Sequence, residues 1–91
     1  MAKFFFHLRD GTDTLLDPDG VELAPSAVPA AALRAARDCI AHDAKAGRIN
    51  LNQRITVEDE AGAAVHVIEF VDAVEITMPP ELTPGANRVP D

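Results

Sequence analysis

The chain has 91 residues, 15 acidic against 8 basic, for a formal net charge of −7. That length holds one domain, and the charge repels phosphate backbones over most of the surface, so general nucleic-acid binding and specific duplex DNA binding are disfavoured. Trp and Tyr are absent and the lone Cys39 allows no intrachain disulfide, a usage that fits a reducing cytoplasm.

Lys3 to Arg9, KFFFHLR, is aromatic-rich and ends in the turn signal RDG, so it predicts a strand with Phe4, Phe6 and Leu8 on one face and Phe5 and His7 on the other. A short second strand is expected to run through Leu16. Asp17 to Gly20, DPDG, reads as a turn, and Val21 to Leu23 adds a few extended residues. The Phe4 to Phe6 run is far too short for a signal peptide or a membrane span, so the expected location is cytoplasmic, with no membrane partner.

From Ser26 to Ala46 the composition turns to alanine and arginine, closed by Gly47, as in a helix with a left-handed C-cap. Ser26 is the expected N-cap, and Pro29 must sit in the first turn, where its missing amide has no partner to lose. On a helical wheel Leu33, Ala36, Ile40 and Ala44 share a stripe bordered by Cys39, with Arg34, Arg37, Asp38, His42 and Lys45 opposite.

Arg54 to Glu58 alternates as a half-buried strand, DEAG at 59–62 closes a hairpin, and Ala63 to Ile76 reads as a longer strand apolar on both faces, hence central in the sheet. The last fifteen residues, 77–91, hold four prolines without periodicity and are expected to be a disordered tail behind a single domain spanning 1–76. The fold expected is α+β, a ββαββ chain whose antiparallel sheet of about four strands carries one long helix on one face.

The order of these signals resembles a family of small bacterial proteins known only as a domain of unknown function. The resemblance rests on the aromatic strand ending RDG, the DPDG turn leading into GVEL, the Ala/Arg-rich helix and the acidic hairpin, over about Ala2 to Ile76. It departs from that pattern at the proline-interrupted helix start and at Ala61. It implies a fold and no functional residue.

Chemistry-bearing candidates are few. Asp17, Asp19 and Gly20 fall short of a calcium loop, because Pro18 interrupts the repeat and no Glu stands at the twelfth position, so an ordinary turn is the reading. His7, His42 and His66 lack zinc spacing, although His7 and His66 would meet if their strands were neighbours. Cys39 borders the buried stripe and reads as structural. No catalytic, cofactor-binding or metal residue is assigned, and no cofactor is expected.

The candidate interface residues are Phe5 and His7 on one sheet face, and Arg34 and Arg37 on the basic helix face. The basic face carries a local excess, with Arg34, Arg37, Lys45 and Arg48 against Asp38 and Asp43, and Arg34 and Asp38 stand at ion-pair spacing. The function expected is a non-enzymatic protein-binding or regulatory module, pairing with itself as a homodimer or with another protein. An acidic antitoxin resembling the HicB type, neutralising a basic RNA-cleaving partner, is the second reading, and a small enzyme or ligand-binding subunit the third.

Overall fold

The computed structural model describes residues 1–81. Strand β1 (Ala2–Asp10) is followed by β2 (Asp13–Leu15), β3 (Val21–Leu23), a 3-10 turn over Pro25–Ala27, helix α1 (Val28–Lys45), β4 (Gln53–Asp59), β5 (Ala64–Glu69) and a one-turn helix α2 (Phe70–Ala73). All pairings are antiparallel, in the order β2-β1-β4-β5, and β3 pairs β1 beyond β2. The α+β fold with one main helix is as expected from the sequence. Among the described residues the sheet has five strands where the sequence predicts about four, because Val21 to Leu23 pairs with Ala2 to Phe4 as a strand of its own.

β2 and β3 lie one after the other along the same side of β1. Leu8 faces Leu15 and Phe4 faces Val21, which leaves the middle of β1 without a strand partner on that side. β1 also pairs β4 along seven positions, with Phe6 opposite Val57 and His7 opposite Thr56. Directly opposed residues share a face, so Phe4, Phe6, Leu8, Ile55 and Val57 point towards α1, and Phe5, His7, Arg9, Thr56 and Glu58 point away from it.

The core lies under α1, where Phe4, Ile55, Val57 and Phe70 pack against Val28, Ala32 and Ala36. Ala32 and Ala36 are fully buried. Their small side chains let the helix backbone sit close to the sheet, where a longer residue would hold it away. The buried stripe therefore runs through Val28, Ala32 and Ala36, with Leu33, Ile40 and Cys39 partly buried beside it, while Ala44 is exposed.

The helix starts at Val28 behind the 3-10 turn. Ala27 is its N-cap and makes no side-chain cap bond, so Ser26 does not cap it. Pro29 falls in the first turn, as its missing amide requires. At the other end Gly47, at φ +93°, donates to Ala44 O at 3.0 Å, and Arg48 N–H donates to Asp43 O at 3.2 Å. These are the two bonds of a Schellman cap, and they make Gly47 the closing residue the sequence predicts.

The expected long strand from Ala63 to Ile76 is corrected. β5 ends at Glu69, and Phe70 to Ala73 turn as α2, which buries Phe70 and Ala73 and leaves Val71 exposed. Nor is β5 central, since it forms the edge beyond β4, with Val65 48% and Val67 47% exposed. Residues 77–81 hold no helix or strand, and the rest of the expected tail, 82–91, lies outside the described residues. No helix among the described residues is long and apolar enough to cross a membrane.

Candidate functional site

The sheet face turned away from α1 carries a connected polar cluster in the gap between β2 and β3. The chain leaves β2 at Leu15, and the DPDG turn brings Asp17 back against the unpaired middle of β1. Asp17 N–H donates to His7 Nδ1 at 3.0 Å, while Asp17 Oδ2 accepts the Phe6 N–H at 3.1 Å. Its other oxygen, Oδ1, accepts the amides of Gly20 at 3.1 Å and Asp19 at 3.3 Å. Partial burial pushes the Asp17 carboxyl up, but the backbone donors of Phe6, Gly20 and Asp19, with His7 adding to them, outweigh it and hold it below the ordinary carboxylate value.

Because Nδ1 accepts a backbone amide, the neutral His7 ring carries its proton on Nε2, which faces Glu58 Oε1 at 3.3 Å. Glu58 Oε2 lies 3.8 Å from Arg9 Nη2, Arg9 Nε donates to Thr56 Oγ1 at 3.2 Å, and Arg9 Nη1 donates to Thr14 Oγ1 at 3.3 Å. His7 is only 8% exposed. A carboxylate beside a histidine is an arrangement used in general-base catalysis, but a working base keeps one nitrogen free for the substrate proton. Here both nitrogens are committed, one to Asp17 and one to Glu58, so the cluster fastens the edge turn to the sheet.

Phe5 lies beside this cluster. Its ring stacks on His7 with centroids 6.3 Å apart and planes 13° from parallel. Gly20 passes so close that a Cβ built there would stand 2.9 Å from Phe5 Cε2 and 3.0 Å from Phe4 O, and its φ is +70°. Glycine is required there by both space and backbone conformation.

The four candidate interface residues therefore split. Phe5 and His7 come together on the open face. Arg34 and Arg37 lie on α1, on the other side of the sheet, and Arg37 is already used, its Nε donating to Ala73 O at 2.8 Å and tying α2 to α1. Arg34 borders an apolar cleft with Phe6 and Val21 and makes no ion pair with Asp38, since the arginine ion pairs among the described residues are Arg9–Glu58 and Arg54–Glu69.

His7 and His66 do not meet. β4 separates their strands, and His66, opposite Val57, points to the helix side. Burial pushes the Cys39 thiol up, and the charges of Asp43 and Asp38 add to it, which fits the structural reading of that cysteine. Sequence reasoning missed Glu58 and Thr56 as partners of His7 and Arg9. The alternation of 54–58 places both on the polar face of β4, but only the register against β1 sets them opposite Phe5 and His7.

One main helix across one side of an antiparallel sheet, with a fastened polar cluster on the other, defines a small α+β protein. Residues 3–71 match the family model described as Domain of unknown function (DUF6894), and the chain belongs to that family. The match runs from β1 into α2 and agrees with the resemblance read from the turn and core signals. No curated protein and no solved structure matches the chain.

Proposed function

We propose that this protein is a non-enzymatic protein-binding module whose partner is a second copy of itself, docked through the sheet face that α1 leaves open. The observation that carries the reading is the charge of that face. Lys3, Arg9 and Arg54 stand there against Glu22, Glu58, Glu69 and the edge carboxylate of Asp17, three bases and four acids, so the face is near balance in a chain of net charge −7. Two copies of an acidic protein repel over most of their surfaces, and least where the local charge cancels. Phe5, partly buried, and Val67, half exposed and opposite Thr56, supply apolar contact in the same plane, and the bulged Val65 lies at its margin.

The area available falls in the class of weak, transient interfaces. Four strand positions at about 4.8 Å spacing, by strands about 20 to 30 Å long, give roughly 500 Å² per copy, at the low end for a specific interface. The dimer is accordingly a weak one, with a dissociation constant on the order of micromolar.

The discriminating variant is Val67→Lys rather than a change at Phe5, whose ring packs on His7 and Gly20 and helps to hold the monomer. Light scattering at about 50 µM, above a micromolar dissociation constant, is expected to give a dimer mass for the natural chain and a monomer mass for Val67→Lys, with equal unfolding midpoints only at concentrations well below that constant, where both are monomers. A monomer mass for the natural chain would refute the reading.

A further inference from the structure

On the helix side, a cavity of about 490 Å³ opens between the C-terminal half of α1, the end of β1 and the loop leading into β4. Its size falls in the range of small-molecule sites. Leu8 and Cys39 give it an apolar floor. Its walls are charged in both signs, with Asp38 and Asp43 from α1 and Arg48 just past the helix cap, and none of the three makes an ion pair among the described residues.

The loop wall is built from interlocking bonds. Asn50 donates through Nδ2 to Asp10 Oδ1 at 3.3 Å, accepts the Asn52 N–H on Oδ1 at 2.9 Å, and accepts Gln53 Nε2 on its backbone oxygen at 2.9 Å. Gln53, 7% exposed, lines the cavity with its amide held at the nitrogen end, while its Oε1 has no hydrogen-bond partner among the described residues. No fully buried side-chain polar atom lacks a partner, so that oxygen borders open space. Gln53 brings a nearly buried amide to a lining whose charged groups, Asp38 and Arg48 exposed and Asp43 half-buried, are unpaired and accessible to a polar ligand.

We propose that this cavity binds a basic amino acid, its carboxylate on Arg48, its cationic groups on Asp38 and Asp43, and its aliphatic stem on Leu8 and Cys39. The charges match pairwise. Asp38 and Asp43 face the ligand's two cations and Arg48 its one carboxylate, while Asp10 is taken up by the Asn50 amide. The C-terminal end of the helix macrodipole adds negative potential at the same place. The upward push that Asp43 and Asp38 exert on the Cys39 thiol is the same field felt at the floor. A metal ion does not fit this lining, since no three His, Cys, Asp or Glu side chains among the described residues converge to hold one.

The test is titration of the isotope-labelled full chain with L-arginine, followed at the amides of Leu8, Cys39 and Gln53. Saturable shifts are expected, weaker binding of agmatine, which lacks the carboxylate, and none of L-glutamate. Asp38→Asn with Asp43→Asn is expected to weaken L-arginine about tenfold without moving the unfolding midpoint, as loss of charge-assisted bonds would. Arg48→Gln is expected to weaken L-arginine and to leave agmatine as tight or tighter, because the lost cation held only the carboxylate and repelled the dication, a pattern that a general loss of structure does not produce. A short peptide ending in arginine keeps the guanidinium and the carboxylate but has no α-ammonium on that residue, so it is expected to bind more weakly than the free amino acid, and equal or tighter binding would overturn the pairing of one cation with each aspartate. Shifts that rise without saturation, equal affinity in the double variant, or equal binding of L-glutamate would each overturn the proposal.

Discussion

Asp17 stands where the edge of the sheet is interrupted, and its carboxylate accepts three backbone amides that a neighbouring strand or water would otherwise satisfy. Its depressed pKa fixes the sign of a pH effect. The carboxylate form is the one the fold binds, so its contribution is complete above the ordinary aspartate value of about 4 and is lost as pH falls through the lower, folded-state value. Asp17→Asn keeps the shape but replaces one acceptor oxygen with a donor, and is expected to cost about 1 to 3 kcal/mol at neutral pH. Urea unfolding across the acid range checks both statements, because the variant should also lose part of the natural chain's fall in stability below about pH 4. An unchanged acid slope in the variant would assign that fall to other carboxylates. The sequence marks Asp17 as a turn residue, and a turn residue it is. That its carboxylate reaches Phe6, eleven positions earlier, depends on how β2 and β3 share one side of β1, which no local pattern encodes.

At the scale of elements, α1 and the sheet are held at a spacing set by Ala32 and Ala36. Ala36→Leu would add three carbons to a position with no accessible surface, and overpacking of that kind costs about 1 to 3 kcal/mol. Ala44→Leu, on the exposed last turns of the same helix, is expected to be near neutral, so thermal unfolding of the two variants side by side separates packing from helix propensity. Equal midpoints would mean that the helix can lift away from the sheet at no cost. Most of these elements were legible in the sequence: the alternation of β1 and β4, the helix with its proline and closing glycine, and the hairpin turn, where Asp59 Oδ1 accepts the amides of Ala61 and Ala63 at 2.9 Å and Gly62 takes φ +83°. The end of β5 was not. In VIEFVDAVEI, residues 67–76, a strand reading continues smoothly past Glu69, but Phe70 and Ala73 are also three apart, the spacing of one helical turn. Burial of both against α1 decides between the two readings, and burial is a tertiary fact. The same limit made β5 read as central, because valines exposed at an edge look in sequence like valines buried on two faces. At the candidate site, Phe5 and His7 were legible as neighbours in space, whereas Glu58 and Thr56 needed the register and the separation of Arg34 and Arg37 from that face needed the layer order.

For the whole molecule, the interrupted edge has a consequence for how copies can add to one another. Growth by strand addition behaves as a step polymerisation, and its extent is set by how many reactive ends each unit carries. A sheet with two clean edges is bifunctional and extends without limit. This sheet has one edge cut in the middle by the Asp17 turn, with short strands of three residues on either side of the cut, and one continuous edge in the six residues of β5. With respect to edge pairing it is therefore monofunctional, a chain stopper. Sedimentation of the natural chain under mildly destabilising urea is expected to find small closed assemblies, and an open ladder of ever larger species would contradict it. An acidic protein whose described residues leave one sheet face uncovered thus has, in the place where one turn folds back, a device against fibre growth, since a unit with a single reactive end can only terminate what it joins.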